Sequence, residues 1–220
     1  MNPITIVGIA DTHGAHSKVK VPDGDILVVA GDFCGHGSIE DVIAFNAWLG
    51  TLPHKYKVIV AGNHDWVCQR SPGLMKEMFS SGIYLENESV ELYGIKIYGS
   101  PWTPEFYNWA FMYERDSQRA RDLWANIPDD TDVLVTHGPP SGVDLSWVDD
   151  IYHPMSAVDA GCRVLRKRIQ DLPRLKASFH GHIHGGHGVG KIYQVTCMNV
   201  SVMNETYDVV NPGRIYKYEQ

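Results

Sequence analysis

This chain of 220 residues holds only four cysteines, Cys34, Cys68, Cys162 and Cys197, with no C-x-x-C pair among them. That spacing argues against a thiolate zinc site or a disulfide framework. It fits buried free thiols in a reducing compartment. Long apolar runs are missing as well, so no membrane-spanning helix is expected. The start, Met1-Asn2-Pro3-Ile4, has no basic segment and soon meets Asp11, so no signal peptide is expected. The cytoplasm is the expected location. Positive charge is not in excess. The formal net charge of −7 argues against a broad footprint on duplex DNA or RNA. It leaves room for a small phosphate ester, because bound cations reverse the local field. Repeats, low-complexity tracts and linkers are also absent, so a single domain over residues 1–220 is expected.

What the chain does have is a set of apolar runs that end in the same way. Val58-Ile59-Val60-Ala61 ends in Gly62-Asn63-His64-Asp65. Ile4 to Ala10 ends in Asp11-Thr12-His13, and Ile26 to Ala30 ends in Gly31-Asp32. Val133 to Thr136 ends in His137, and Ala177-Ser178-Phe179 ends in His180-Gly181-His182-Ile183-His184. Such runs read as buried strands, and ligands of open α/β sheets collect at the carboxyl ends of strands.

The rest of the chain alternates strands with helices. Ser38 reads as the N-cap of a helix whose stripe is Val42, Phe45 and Leu49 with Ile43 and Trp48. Gly73 to Phe79, Asp116 to Ala125 and Asp159 to Asp171 read as further helices, the last with Cys162, Leu165 and Ile169 inward. Val90 to Tyr98 alternates around Tyr93-Gly94 and reads as a hairpin. Strands are expected near Ile192 to Val195, Cys197 to Val202 and Ile215 to Tyr218. Two packed sheets flanked by helices accommodate this strand count.

The candidate ligands are Asp11, His13, Asp32, Asn63, His137, His182 and His184. This is too large a set for one ion with an open position, and it suits two ions bridged by a carboxylate. Mixed imidazole and carboxylate ligands favour Mn, Fe or Zn, with Mn the first choice, over an all-oxygen Mg or Ca site.

D-x-H, G-D, G-N-H-D, T-H-G and G-H-x-H, in that order and each after an apolar run, resemble the calcineurin-like metallophosphoesterase superfamily. Phe45-Asn46-Ala47-Trp48-Leu49-Gly50, Tyr98-Gly99-Ser100-Pro101-Trp102-Thr103-Pro104 and Thr136-His137-Gly138-Pro139-Pro140 are similar to its single-domain MPPED-like branch. The resemblance implies an α/β fold, a four-layer α-β-β-α sandwich with two mixed sheets. It implies that Asp11, His13, Asp32 and His184 hold one divalent ion. Asp32, Asn63, His137 and His182 would hold the other, with Asp32 bridging. His64 would protonate the leaving oxygen, Asp65 would orient His64, and a metal-bound hydroxide would be the nucleophile. His182, which some members of the branch lack, is retained here.

The expected function is therefore a dinuclear phosphodiesterase acting on small nucleotide or cyclic-nucleotide esters. A phosphomonoesterase or phosphatase on the same site, and a metal- and nucleotide-binding sensor with little turnover, are the alternatives. Candidate substrate contacts are Asn63, His64, His16, His187 and Trp102. The loop from Trp102 to Phe111 reads either as a wall that stacks a base or, the favoured reading, as a loop pinned to the core by its own aromatics. His180 reads as a support for a ligand or a packed residue. His36, His54 and His153 read as surface residues, and Trp48 and Trp124 as core.

Overall fold

The computed structural model of the chain describes residues 3–149 and 156–219, so His153 lies outside the described residues. The strands in chain order are β1 (Ile4–Ile9), β2 (Ile26–Ala30), β3 (Tyr56–Val60), β4 (Ile83–Tyr84), β5 (Glu88–Leu92), β6 (Ile95–Ser100), β7 (Thr103–Pro104) and β8 (Met112–Tyr113). They continue as β9 (Val133–Thr136), β10 (Trp147–Asp149), β11 (Ala157–Asp159), β12 (Ala177–His180), β13 (Gly188–Ile192), β14 (Val195–Asn199) and β15 (Arg214–Tyr218). The helices are α1 (Ile39–Thr51), α2 (Trp66–Arg70), α3 (Pro72–Met78), α4 (Gln118–Ala125) and α5 (Arg163–Asp171).

One sheet has the order β15-β1-β2-β3-β4 and the other β13-β14-β12-β9-β6-β5. Strands β1 to β4 are parallel, with β15 antiparallel at the edge. Strands β14, β12, β9 and β6 are parallel, with β13 and β5 antiparallel at the edges. Parallel strands need both faces covered, and β2 and β9 are buried at every position.

Period-2 alternation sorts those side chains into layers. Ile6, Val28 and Val60 of the first sheet pack on Val133, Val135 and Phe179 of the second. Their neighbours Val7, Leu27, Val29 and Ile59 face the other way, onto Phe45 and Leu49 of α1 and Met75 of α3. On the outer face of the second sheet, Leu134 and Cys197 meet Trp124 of α4 and Leu165 and Ile169 of α5. The result is the α-β-β-α sandwich with two mixed sheets. No helix among the described residues is long and apolar enough to cross a membrane.

Local chemistry sets the element ends. Ser38 Oγ accepts the Asp41 N–H at 3.2 Å and the Asp41 carboxylate accepts the Ser38 N–H at 3.2 Å, a capping box that starts α1. Tyr93 (φ 55°) and Gly94 (φ 76°) take the left-handed pair of a two-residue hairpin turn between β5 and β6.

Four expectations need correction. Ile43 is 57 % exposed, because it is turned about 100° round the helix from the buried Val42. No strand runs from Ile192 to Val195: β13 ends at Ile192, Tyr193 (φ 50°) and Gln194 make the turn, and β14 begins at Val195. The last helix begins at Arg163 rather than Asp159, since residues 157–159 pair with 147–149. His54 is 2 % exposed, not a surface residue, and its Nε2 lies 3.0 Å from the Pro22 carbonyl. His36 is exposed, Trp124 is fully buried, Trp48 is half-buried, and all four cysteines are free and buried.

Candidate metal centre

The carboxyl ends of β1, β2, β3, β9 and β12 meet along one edge of the sandwich. Backbone hydrogen bonds join their loops. Asp11 N–H donates to the Gly31 carbonyl at 3.0 Å, His13 N–H to the Asp32 carbonyl at 3.0 Å, and Gly181 N–H to the His137 carbonyl at 3.1 Å. Asp11 (φ 56°), His13 (φ 39°), Asp32 (φ 54°) and His182 (φ 69°) all sit in the left-handed region. Each such residue costs about 1 kcal/mol or more, and strain of this kind collects at functional sites. Gly31 (φ 94°) is required twice over, since a Cβ there would lie 2.4 Å from His137 Nδ1. A Cβ on Gly62 would lie 2.3 Å from Asp32 Oδ1.

The side chains turn lone pairs toward one another. His137 Nδ1 lies 2.9 Å from the Ala30 carbonyl, which places a proton on that nitrogen. Its Nε2 then faces two acceptors, Asn63 Oδ1 at 2.8 Å and Asp32 Oδ2 at 3.3 Å. His184 repeats the pattern. Its Nδ1 lies 3.0 Å from the Asn204 carbonyl and its Nε2 lies 3.2 Å from His13 Nε2. His13 Nε2 is in turn 3.8 Å from Asp32 Oδ2. Asp11, His13 and His184 bring ligand atoms within 4.8 Å of one another, and so do Asp32, His137 and His182. These converging imidazole, carboxylate and amide atoms are a donor set that suits a divalent transition metal; without one, a proton on His137 Nε2 serves Asn63 and Asp32 instead. Asp32 stands between the two groups.

The electrostatics agree. Burial alone would raise the Asp32 carboxyl, but the charge and hydrogen bond of His137, then His13, hold it far below the usual range. Burial would lower His137, and Asp32 instead lifts it to about 9. Burial pushes His13 down to about 4, against the pull of Asp32. Burial and the charge of His137 push His182 down to about 3. Both rings are thus neutral at pH 7, the form that binds metal.

Asp65 does not orient His64. It is fully buried, and Oδ2 accepts the N–H groups of Gly62 at 2.7 Å and Asp32 at 2.9 Å. Oδ1 accepts the Cys34 N–H at 2.9 Å. Asp65 therefore fastens the loop after β2 to the loop after β3. Burial, then the neighbouring Asp32 charge, raises its pKa to about 7 against those hydrogen bonds. His64 is held otherwise. Its ring stacks on Trp109 with centres 4.3 Å apart and meets the edge of His13 at 4.5 Å. The backbone N–H of His64 donates to Asp32 Oδ1 at 2.8 Å.

Above these residues opens a cavity of about 450 Å³, bordered by Asp32, Asn63, His64, His182 and His184. Phe106, Tyr107, Trp109, Arg115 and Tyr207 complete much of its wall. The aromatic loop is therefore divided. Phe111 is buried and Trp102 packs on it at 5.6 Å, while Phe106 and Tyr107 are 45 % and 66 % exposed toward the cavity.

The remaining candidates fall elsewhere. Trp102 is not among the residues bordering this cavity; the Arg119 guanidinium lies over its ring at 4.3 Å. His16 packs on Phe45 and Trp48 at 5.5 and 5.3 Å. His187 borders a neighbouring polar cavity with His184, its Nδ1 2.6 Å from the Ser201 carbonyl. His180 is fully buried with no hydrogen-bond partner for either ring nitrogen, so it packs and supports no ligand through a hydrogen bond.

Arg115 and Tyr207 had no place in the sequence reading, and Trp109 entered it only as part of the aromatic loop. Tyr207 (φ 62°) meets the rings of His13 and His184 at 4.9 and 5.0 Å. Its signal was the turn-forming Asn204-Glu205-Thr206-Tyr207-Asp208, where Asn204 Oδ1 accepts the N–H groups of Thr206 at 3.0 Å and Asp208 at 2.9 Å.

Comparison with known proteins shows the family. The family model described as calcineurin-like phosphoesterase matches residues 4–186. Metallophosphoesterase domain-containing protein 1 of Homo sapiens is 35 % identical over 94 % of this chain and 68 % of its own length. UPF0046 protein C25E10.12 of Caenorhabditis elegans is 34 % identical over 95 % of this chain and 80 % of its own. The crystal structure of TT1561 of Thermus thermophilus superposes with a TM-score of 0.58 at 11 % identity, covering 98 % of this chain and 99 % of that one, a likeness of fold.

Proposed function

Because the chain belongs to the calcineurin-like phosphoesterase family, we propose that it is a dinuclear-metal phosphodiesterase acting on small organic phosphate esters, nucleotide esters first among them. The whole chain, residues 1–220, is read as one such domain. The carrying observation is the run of converging ligand groups beneath the cavity: Asp11, His13 and His184, then His13, Asp32 and His64, then Asp32, His137 and His182, linked through His13 and Asp32. In this reading Asp11, His13, Asp32 and His184 hold one ion. Asp32, Asn63, His137 and His182 hold the other, with Mn the first choice and Fe or Zn behind it. When bound, the pair supplies Lewis-acid polarisation of the phosphoryl oxygens and activates the attacking water.

The chain's own residues do the rest. Asn63 and His64 border the cavity where a phosphoryl group would lie. His64 donates a proton to the departing ester oxygen, the role that suits an imidazole near neutral pH. Trp109 and His13 fix the plane of its ring. Tyr207, against His13 and His184, narrows the opening. The buried free cysteines support a reducing, cytoplasmic setting.

One observation favours a second reading, a phosphomonoesterase. Arg115 borders the cavity and offers a cation to a terminal phosphate dianion. The deciding measurement is kcat/KM for bis- and mono-nitrophenyl phosphate with Mn²⁺. A higher value for the diester supports the first reading, and a clear monoester preference replaces it with the second. No turnover of either ester with metal bound leaves a sensor.

A further inference from the structure

The site cavity does not end at Arg115 and Phe106. A second cavity of about 400 Å³ begins there, and Phe106, Arg115, Val148 and Ala160 border both. The Phe106 ring is 5.2 Å from the His182 ring, so this shared wall stands directly against a candidate ligand. Beyond it the second cavity is walled by Pro104, Val148 and Val158, with Val158 46 % exposed. Four charged residues also border it: Asp116 and Arg163 are exposed, while Asp159 and Arg115 are held by hydrogen bonds. Asp159 accepts from Ser141 at 2.6 Å, Ser146 at 2.7 Å, Gly142 at 2.8 Å and Gly161 at 3.0 Å. Arg115 donates to the Ala160 carbonyl at 2.8 Å and to the Gly161 carbonyl at 3.1 Å. Those bonds use two of its five N–H groups and hold the guanidinium at the junction of the two cavities.

We propose that the second cavity is the subsite for the second ester arm of a linear phosphodiester, and that this arm is a bulky, flat, apolar or aromatic group packed against Phe106 and Val158. The inference rests on the diester reading above and narrows it. A phosphate with one arm fits the site cavity, and a cyclic ester folds both arms into one ring and leaves the second cavity unused. A linear diester with two large arms uses both, with Arg115 placed where the bridging phosphate anion passes. Hydrolysis adds water across one P–O bond. One arm leaves as its alcohol with a proton, and the other stays on the monoester.

The test compares bis(p-nitrophenyl) phosphate with methyl p-nitrophenyl phosphate, which share a leaving group and differ in the second arm. The wild-type protein, loaded with Mn²⁺, is expected to favour the bis-aryl ester at least tenfold in kcat/KM. Val158→Trp, which fills the second cavity, is expected to lower that ratio about tenfold, and Val158→Ala to keep it or raise it. Metal content measured in each variant reports whether the site has stayed assembled. Turnover of both esters with a ratio that Val158→Trp leaves unchanged overturns the subsite alone. No turnover of either ester in the metal-loaded wild type overturns the diester reading and the subsite with it.

Discussion

The indole of Trp109 lies over the imidazole of His64, 24° from parallel with ring centres 4.3 Å apart. This contact takes the place that a carboxylate partner was expected to fill, because Asp65 is bonded to backbone N–H groups. If His64 is the proton donor, His64→Ala should cost about 10²–10⁴-fold in kcat on an ester with an alkoxide leaving group. The loss should be much smaller on a nitrophenyl ester, whose leaving group is already a stable anion. Trp109→Ala should show the same dependence on leaving group at about tenfold, through a ring no longer held in place. Equal losses on both esters would mean that the two residues position the phosphate instead.

Metal content should separate the bridging ligand from the others. Asp32→Ala is expected to empty both positions, since Asp32 stands between the two ligand groups. Asn63→Ala is expected to weaken one. Elemental analysis of metal-loaded protein reads this directly, and full occupancy in Asp32→Ala would remove the bridge.

Asp65→Ala should destabilise the fold whether or not metal is bound. It orphans the buried N–H groups of Asp32, Cys34 and Gly62. At about 1–3 kcal/mol for each unsatisfied group, the loss should reach about 3 kcal/mol or more. Urea unfolding measures it. An unmoved midpoint would show that water replaces the carboxylate and that the three loops do not depend on it.

The metal-free protein should be most stable near neutral pH. Burial lowers His13 to about 4 and His180 to about 3 from an unfolded value of 6.5. The unfolded chain therefore binds protons that the fold refuses as pH drops through 6.5. Stability is complete above that value and declines toward pH 4, by up to about 1.4 kcal/mol per pH unit for each ring. His137, raised to about 9 by Asp32 against the effect of burial, works the other way. Its contribution is complete below 6.5 and is lost as pH rises through 9. Urea midpoints in chelator from pH 4.5 to 9.5 should trace both limbs, and a flat acid limb would contradict the buried neutral rings.

Much of this protein was legible in its residues. The apolar runs at Ile26 and Val133 became β2 and β9, buried throughout, because a parallel strand covered on both faces carries no polar positions. Tyr93-Gly94 made its turn and Ser38 made its cap, since both depend on neighbours within three residues. The candidate ligands were visible because each stands within a few residues of the end of its strand. Weaker local signals misled. Glycines at 188 and 190 hid β13, and Asp159 looked like a helix start when its carboxylate closes a loop.

The sequence by itself determined the layered α/β architecture, the strand ends that carry the candidate ligands and the chemical types of those candidates, all properties of short segments. Tertiary structure alone decided what those groups meet. Asp65 lies 33 residues from Asp32 and 31 from Cys34, yet it accepts both of their N–H groups. His137 lies 74 residues from Asn63 and faces it at 2.8 Å. Trp109, Arg115 and Tyr207 come from loops whose local patterns name no partner. Hydrophobic periodicity fixes which face of an element is buried, but partners across the site are selected only when the sheets pack and bring distant loops to one edge.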